Sequence, residues 1–194
     1  MKYIKNSFSI EKVKAQDVAK KFGTPVYCYS YKKLIENINN FKKNFKSFSP
    51  LVCFAVKCNA NINLVKEIRK LGLGADVVSI GELMMALKAG VDPKKIVFSG
   101  VGKTSEEISY AIDKKILLIN AESRSEIIEI EKIAKAKKKT INIGIRLNPN
   151  TDAKTLNKIS TGKKENKFGI NDKAFIEVVN FCKKSKNINL KCLS

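Results

Sequence analysis

From Leu51 onward, apolar runs of strand length alternate with longer segments whose apolar residues recur at helical spacing. The strand-like runs fall at residues 52–56, 74–78, 96–98, 116–119, 141–145 and 188–193. The helix-like segments fall at residues 62–70, 81–89, 105–113, 123–136 and 172–184, with faces such as Leu83 and Leu87, or Ile127, Ile130, Ile133 and Ala134. Strands joined by helices over short connections can pair only in parallel, through right-handed crossovers. An open doubly wound sheet and a closed (β/α) barrel both satisfy that rhythm. No Gly-x-Gly-x-x-Gly follows a strand, and Gly72-Leu73-Gly74 precedes one. The barrel is favoured because nearly every strand ends in polar residues of catalytic type. These are Lys57 and Asn59, Asp76 and Ser79, Ser99 and Lys103, Asn120 and Glu122, then Arg146 and Asn148. In a parallel barrel those ends converge on one face. Taken singly, Ser79, Thr104 and Asn120 read as helix N-caps. Lys57, Asp76 and Arg146 are harder to dismiss, because charges beside buried strands need partners.

The sharpest single stretch is Leu51-Val52-Cys53-Phe54-Ala55-Val56-Lys57. Pro50 opens it, as proline can at the first residue of a strand. A lysine ending a dry strand places its amine at a pocket mouth, where desolvation favours the neutral, nucleophilic form. The plainer alternative is a lysine that snorkels to solvent.

The 50 residues before it read differently. Residues 1–22 suggest an entry segment with a helix, ended by Gly23-Thr24-Pro25, and residues 26–29 are strand-like. Ser30 is placed to cap a helix over residues 31–45, with Leu34, Ile35, Ile38, Phe41 and Phe45 on one face. This divides the chain into an entry segment at 1–30 and a partial barrel domain at 31–194.

Composition removes several function classes. Five cysteines form no Cys-x-x-Cys pair and there is no histidine, which argues against a zinc site, a disulfide framework and any Ser-His or Cys-His catalytic pair. No run is apolar enough to span a bilayer, and Met1-Lys2-Tyr3-Ile4-Lys5 lacks the apolar core of a secretory signal, so a cytoplasmic location without membrane association is expected. The net charge of +20 invites a nucleic-acid reading. The lysines are nevertheless spread along the chain, and the dense patch at residues 135–139 suits a solvated helix end, so no nucleic-acid partner is expected.

Seven motifs in order carry a resemblance. They are Gly23-Thr24-Pro25-Val26-Tyr27, Phe54-Ala55-Val56-Lys57-Cys58-Asn59, and Gly74-Ala75-Asp76-Val77-Val78-Ser79-Ile80-Gly81-Glu82-Leu83, followed by Phe98-Ser99-Gly100-Val101-Gly102-Lys103-Thr104. After them come Asn120-Ala121-Glu122-Ser123, Ile145-Arg146-Leu147-Asn148-Pro149, and Thr161-Gly162 with Lys167-Phe168-Gly169-Ile170. Together they resemble the diaminopimelate decarboxylases of the alanine-racemase-like class of pyridoxal-phosphate enzymes. The resemblance implies a (β/α)8 TIM-type barrel followed by a β-rich domain, and decarboxylation of meso-diaminopimelate to L-lysine. It implies that Lys57 holds pyridoxal 5'-phosphate through its amine, that Asp76 and Arg146 lie near the cofactor, and that Glu82 supports the site. The full-length family member is expected to be a homodimer acting on a small amino acid. Related arginine, ornithine or carboxynorspermidine decarboxylases on the same barrel are the alternative, and a non-enzymatic basic binding module is a remote one.

The departures are specific. Relatives commonly carry Tyr and Ala where this chain has Phe54 and Cys58, and many carry His where Leu156 stands. They continue with a His-Ile-Gly-Ser-Gln type segment, Gly-rich and Glu-Pro-Gly-Arg phosphate-binding segments and a C-terminal β domain, none of which this sequence contains. A closed barrel takes roughly 250 residues, and only six strand-like runs are present. The expectation is therefore the N-terminal part of a longer enzyme, with an exposed apolar interior and little or no decarboxylase activity as it stands. The long connection at residues 147–170 is basic and Gly-containing, and is expected to cover an anionic ligand.

Overall fold

A computed structural model describes residues 2–4, 6–151 and 168–194, which form two compact units, residues 1–50 and 51–194. In the first unit, strands β1 (Lys2–Ile4), β2 (Ser7–Ile10) and β3 (Val13–Lys14) form an antiparallel sheet, followed by helices α1 (Ala15–Phe22) and α2 (Tyr31–Asn44). Ser30 caps α2 as expected, accepting from the Lys33 amide at 3.1 Å. The Glu11 carboxylate adds to that cap, accepting from the Ser30 hydroxyl and the Lys32 amide, both at 2.8 Å. The Lys32 amide and the Ser30 hydroxyl hold the Glu11 carboxyl below its ordinary pKa. The small sheet escaped the sequence reading because its strands are two to four residues long, too short for a period to show. Residues 26–29 form no strand.

The second unit is a six-stranded sheet. Its strands are β4 (Cys53–Ala55), β5 (Gly74–Val77), β6 (Ile96–Phe98), β7 (Leu118–Ala121), β8 (Ile141–Ile145) and β9 (Ile188–Leu193). All neighbours are parallel and the spatial order is the chain order, β4 to β9. A doubly wound sheet reverses its strand order at a switch point. This one never reverses, and that is the winding of a (β/α)8 barrel.

Helices α3 (Ile62–Lys70), α4 (Ile80–Lys88), α5 (Ser105–Lys114), α6 (Arg124–Ala136) and α7 (Asp172–Lys184) supply the crossovers. Three begin with the same device: Ser79, Thr104 and Ser123 accept from the amides of Glu82, Glu107 and Glu126, three residues on. Each glutamate then reaches back to an amide of the incoming loop: Glu82 to Val78, Glu107 to Thr104 and Glu126 to Glu122, all at 2.9 Å. Ser, Thr and Glu at that spacing satisfy donors a helix start otherwise leaves open. Asn120, by contrast, caps nothing; it lies in β7.

One strand starts two residues later than the apolar pattern predicts. Residues 116–119 read as a strand, whereas β7 begins at Leu118. Lys115 turns left-handed (φ 54°) at the end of α5 and its amide bonds the Ile112 carbonyl, while the Ile116 amide reaches the Ala111 carbonyl. That is a Schellman ending, in which the apolar residue after the turn packs back on the helix. Ile116 is buried as part of the helix exit.

The core lies between the sheet and the helices. Ala75, Val77, Ile96, Phe98, Ile119, Ala121, Ile143 and Ile145 point into it and meet Leu83, Ala86, Ile108, Ile127, Ile130 and Val178 from the helices. Each such Val, Leu, Ile or Phe contributes about 1.5–3 kcal/mol by leaving water. The alternate residues, including Cys53, Asp76, Ser99, Asn120, Asn142 and Arg146, occupy the other face and are half-buried. That face is mixed: Ala55, Val97 and Leu118 lie in register with Asp76 and are likewise half-buried, so the expected exposed apolar interior is present only in part. The period-2 alternation explains this: the buried apolar set faces the helices, not the barrel axis.

Candidate functional site

The carboxyl ends of the strands collect the charged residues picked out from sequence. Lys57 sits in a 3-10 turn, Val56–Cys58, directly after β4. Its side chain is exposed, and it makes no hydrogen bond or ion pair among the described residues. The dry strand end expected there is therefore corrected. β4 stops at Ala55, two residues before the lysine, and the turn carries the amine into the open.

Asp76 lies one strand over, paired in register with Ala55. Its Oδ1 accepts from the Ser99 hydroxyl at 2.6 Å. Ser99 Oγ in turn accepts from Asn120 Nδ2 at 3.1 Å, and Asn120 Oδ1 accepts from the Cys192 thiol at 3.9 Å. A polar string thus crosses the sheet from β5 to β9. Gly144 makes room for it, since a Cβ there would collide with Asn120 Oδ1 and Cys192 Sγ. Burial, and then the nearby charge of Asp76, push the Cys53 thiol up to about 11.

Arg146 follows β8. Its Nη1 donates to both oxygens of Glu122, at 3.0 and 3.2 Å, and its guanidinium lies 4.9 Å from the Phe168 ring centre. Glu122 is 4% exposed and also accepts from the Gly169 amide at 3.1 Å. The Ile170 amide donates to the Arg146 carbonyl at 2.7 Å and the Asn148 amide to the Ile170 carbonyl at 2.8 Å. Gly169 (φ 78°) passes so close to Arg146 and Asn148 that a Cβ would touch their backbone at 3.0 Å. Glu122 therefore fixes both the guanidinium and residues 168–170. The rest of the long connection, with Leu156, Thr161-Gly162 and Lys167, lies outside the described residues.

Glu82 stands back from this face and ties the start of α4 to the end of β5 through the Val78 amide. Behind the strand ends lies a buried ion pair between Lys103, one of the polar strand-end residues, and Glu126, which the sequence did not single out. Lys103 Nζ, on a side chain 1% exposed, donates to Glu126 at 2.7 Å, to the Gly100 carbonyl at 2.6 Å and to the Asn120 carbonyl at 2.8 Å. All three ammonium donors are used. The structure therefore joins Asp76 with Ser99 and Asn120, and Arg146 with Glu122, and leaves Lys57 unengaged. Ser99, Asn120 and Glu122 were visible as polar strand ends, but nothing in the chain order says which pair off. The Ser/Thr-x-x-Glu repeat could have marked Glu126 as a residue with a fixed place.

A singly wound parallel sheet with a lysine at the end of its first strand has the outline of a pyridoxal-phosphate barrel. Residues 31–194 match the family described as pyridoxal-dependent decarboxylase, pyridoxal binding domain, and the chain belongs to that family. More particularly, it is similar to proteins named diaminopimelate decarboxylase. That of Helicobacter pylori strain J99 is 46% identical over 170 residues, covering 88% of this chain and 42% of that protein. That of Aquifex aeolicus is 40% identical over 190 residues, covering 98% of this chain and 45% of the other. The crystal structure of diaminopimelate decarboxylase from M. jannaschii in co-complex with L-lysine superposes with a TM-score of 0.90 at 38% identity, over 97% of this chain and 45% of that one. The chain thus spans less than half the length of these relatives. Among the described residues, no helix is long and apolar enough to cross a membrane.

Proposed function

We propose that this chain supplies the lysine-bearing part of a pyridoxal-phosphate-dependent decarboxylase that converts meso-diaminopimelate to L-lysine. The observation that carries the reading is the Lys57 amine, exposed and without a partner among the described residues, at the carboxyl end of β4 and beside the strand that bears Asp76. The groups at this face suit pyridoxal phosphate. An unengaged amine can bond to an aldehyde carbon. The Asp76 carboxylate, with one oxygen occupied among the described residues, can take an N–H donor on the other. Arg146, ion-paired to Glu122 and stacked on Phe168, presents N–H donors in a fixed direction. Glu82 supports the site indirectly, by holding the β5–α4 connection that follows Asp76. When bound, the cofactor supplies an electron sink for the pair left behind by departing carbon dioxide.

The chain's own residues bind and orient. Lys57 would hold the cofactor through its side-chain amine. Asp76 and Arg146 are the cofactor-side groups whose directions are set before anything binds, which lowers the cost of ordering them. The same reading carries a homodimeric, cytoplasmic protein with no nucleic-acid or membrane partner. The five free thiols suit a reducing compartment.

The substrate is tested by loading the chain with pyridoxal phosphate and following the cofactor's absorbance as amino acids are added. A saturable change with meso-diaminopimelate at concentrations where L-arginine and L-ornithine give none is the expected result. The reverse order would assign the chain to a different decarboxylase of the same fold.

A further inference from the structure

We propose that Ser99 and Asn120 are positioning residues that fix the Asp76 carboxylate for the cofactor. The proposal rests on the reading that pyridoxal phosphate binds at Lys57. Asp76 takes a 2.6 Å hydrogen bond from Ser99 on Oδ1, while its Oδ2 has no hydrogen-bond partner among the described residues. The carboxylate is thus pinned at one oxygen and open at the other. A serine hydroxyl has one proton, and here it goes to Asp76, so the Ser99 oxygen needs a donor of its own to hold that direction. Asn120 Nδ2 provides it at 3.1 Å.

The direction of the Asn120 amide is set in turn. Its Oδ1 accepts from the Cys192 thiol, and the missing side chain of Gly144 leaves the space in which the amide lies. The Asn120 backbone is held as well, by the buried Lys103 ammonium on its carbonyl. Every link therefore has one orientation, and the chain of donors ends on a carboxylate facing the open side of the sheet. Hydrogen bonds to a charged acceptor are the strong ones, and linked bonds reinforce each other. Without Ser99, the carboxylate is free to rotate and its open oxygen is no longer aimed.

The test is a cycle of variants read by the dissociation constant for pyridoxal phosphate, with unfolding midpoints recorded alongside. Ser99→Ala weakens binding on the order of tenfold, the worth of a hydrogen bond to a charged group, and Asn120→Ala weakens it by less. Ser99→Thr keeps the hydroxyl and holds the wild-type constant. In an Asp76→Ala background, Ser99→Ala has no further effect, because its influence passes through Asp76. The same loss in both backgrounds, or wild-type binding by S99A, overturns the proposal. Should S99A fail to fold, the same cycle run with N120A decides. If the wild-type chain fixes no pyridoxyl group on Lys57 under borohydride, the functional reading falls and this proposal with it. Cofactor fixation with additive variants removes the positioning role alone.

Discussion

Replacing Lys103 by methionine removes a charge from the most enclosed polar cluster of the barrel unit. The lysine side chain is 1% exposed and that of Glu126 is 9% exposed. Methionine restores the volume of the stem but not the ammonium, so Glu126 keeps a buried negative charge with, among the described residues, the Glu122 amide alone against its carboxylate. The carbonyls of Gly100 and Asn120 also lose a donor at 2.6 and 2.8 Å. Breaking a buried pair from one side costs about 3–5 kcal/mol. For a unit of this size that lowers the unfolding midpoint by roughly 10 °C. Glu126→Gln strands the lysine instead and costs a similar amount. The double variant leaves no uncompensated charge, so it costs far less than the two singles together. Urea unfolding of the four proteins gives the coupling directly. A Lys103→Met penalty below about 1 kcal/mol, or singles that simply add, would refute the claim that this pair is a closed, desolvated unit.

Asp113 accepts from Lys137 and Lys139, which hold its carboxyl down at about 2 against an ordinary 3.8. Its folded pKa lies below its unfolded one, so the stabilisation is complete above the unfolded value and disappears as pH falls through about 2. The midpoint difference between wild type and Asp113→Asn should accordingly be present at neutral pH and close as the solution is acidified through that range. A difference that is independent of pH contradicts the assignment. Thiol labelling at mildly alkaline pH should modify the exposed Cys58 well before Cys53, whose thiol burial and Asp76 push up to about 11, and before the buried Cys182. Equal rates for Cys53 and Cys58 would be the contrary result. Gly144→Ala places a methyl against Asn120 and Cys192 and should cost about 1–3 kcal/mol by overpacking in urea unfolding, while an unchanged midpoint would mean the string is not there.

The sheet was legible because its information is local. Six runs and five amphipathic helices each announce themselves within a few residues, and β6, β8, β9, α3 and α7 have the bounds that the pattern predicts. Strand order also followed, since a rhythm of short connections leaves few windings open. The errors arose where one residue type serves two structures. Ile116 reads as strand but closes a helix, and Asn120 reads as a cap but spans the sheet face. Lys57 reads as the last residue of a buried strand, yet the three-residue turn that holds it in solvent leaves no periodic trace. Side-chain partnerships were illegible for a different reason. Asp76, Ser99 and Asn120 sit 23 and 21 residues apart, as do Arg146 and Glu122 at 24. Only the register of neighbouring strands brings such residues together, and register is a property of the whole sheet.

The most direct measurement is borohydride reduction of the chain after incubation with limiting pyridoxal phosphate, followed by peptide mapping. Lysine abounds on this surface, so the position of the label is what counts, not its presence. The account predicts a single pyridoxyl group on the peptide that contains Lys57, lost in Lys57→Ala. Label spread over other lysines, with the same yield in Lys57→Ala, would contradict it.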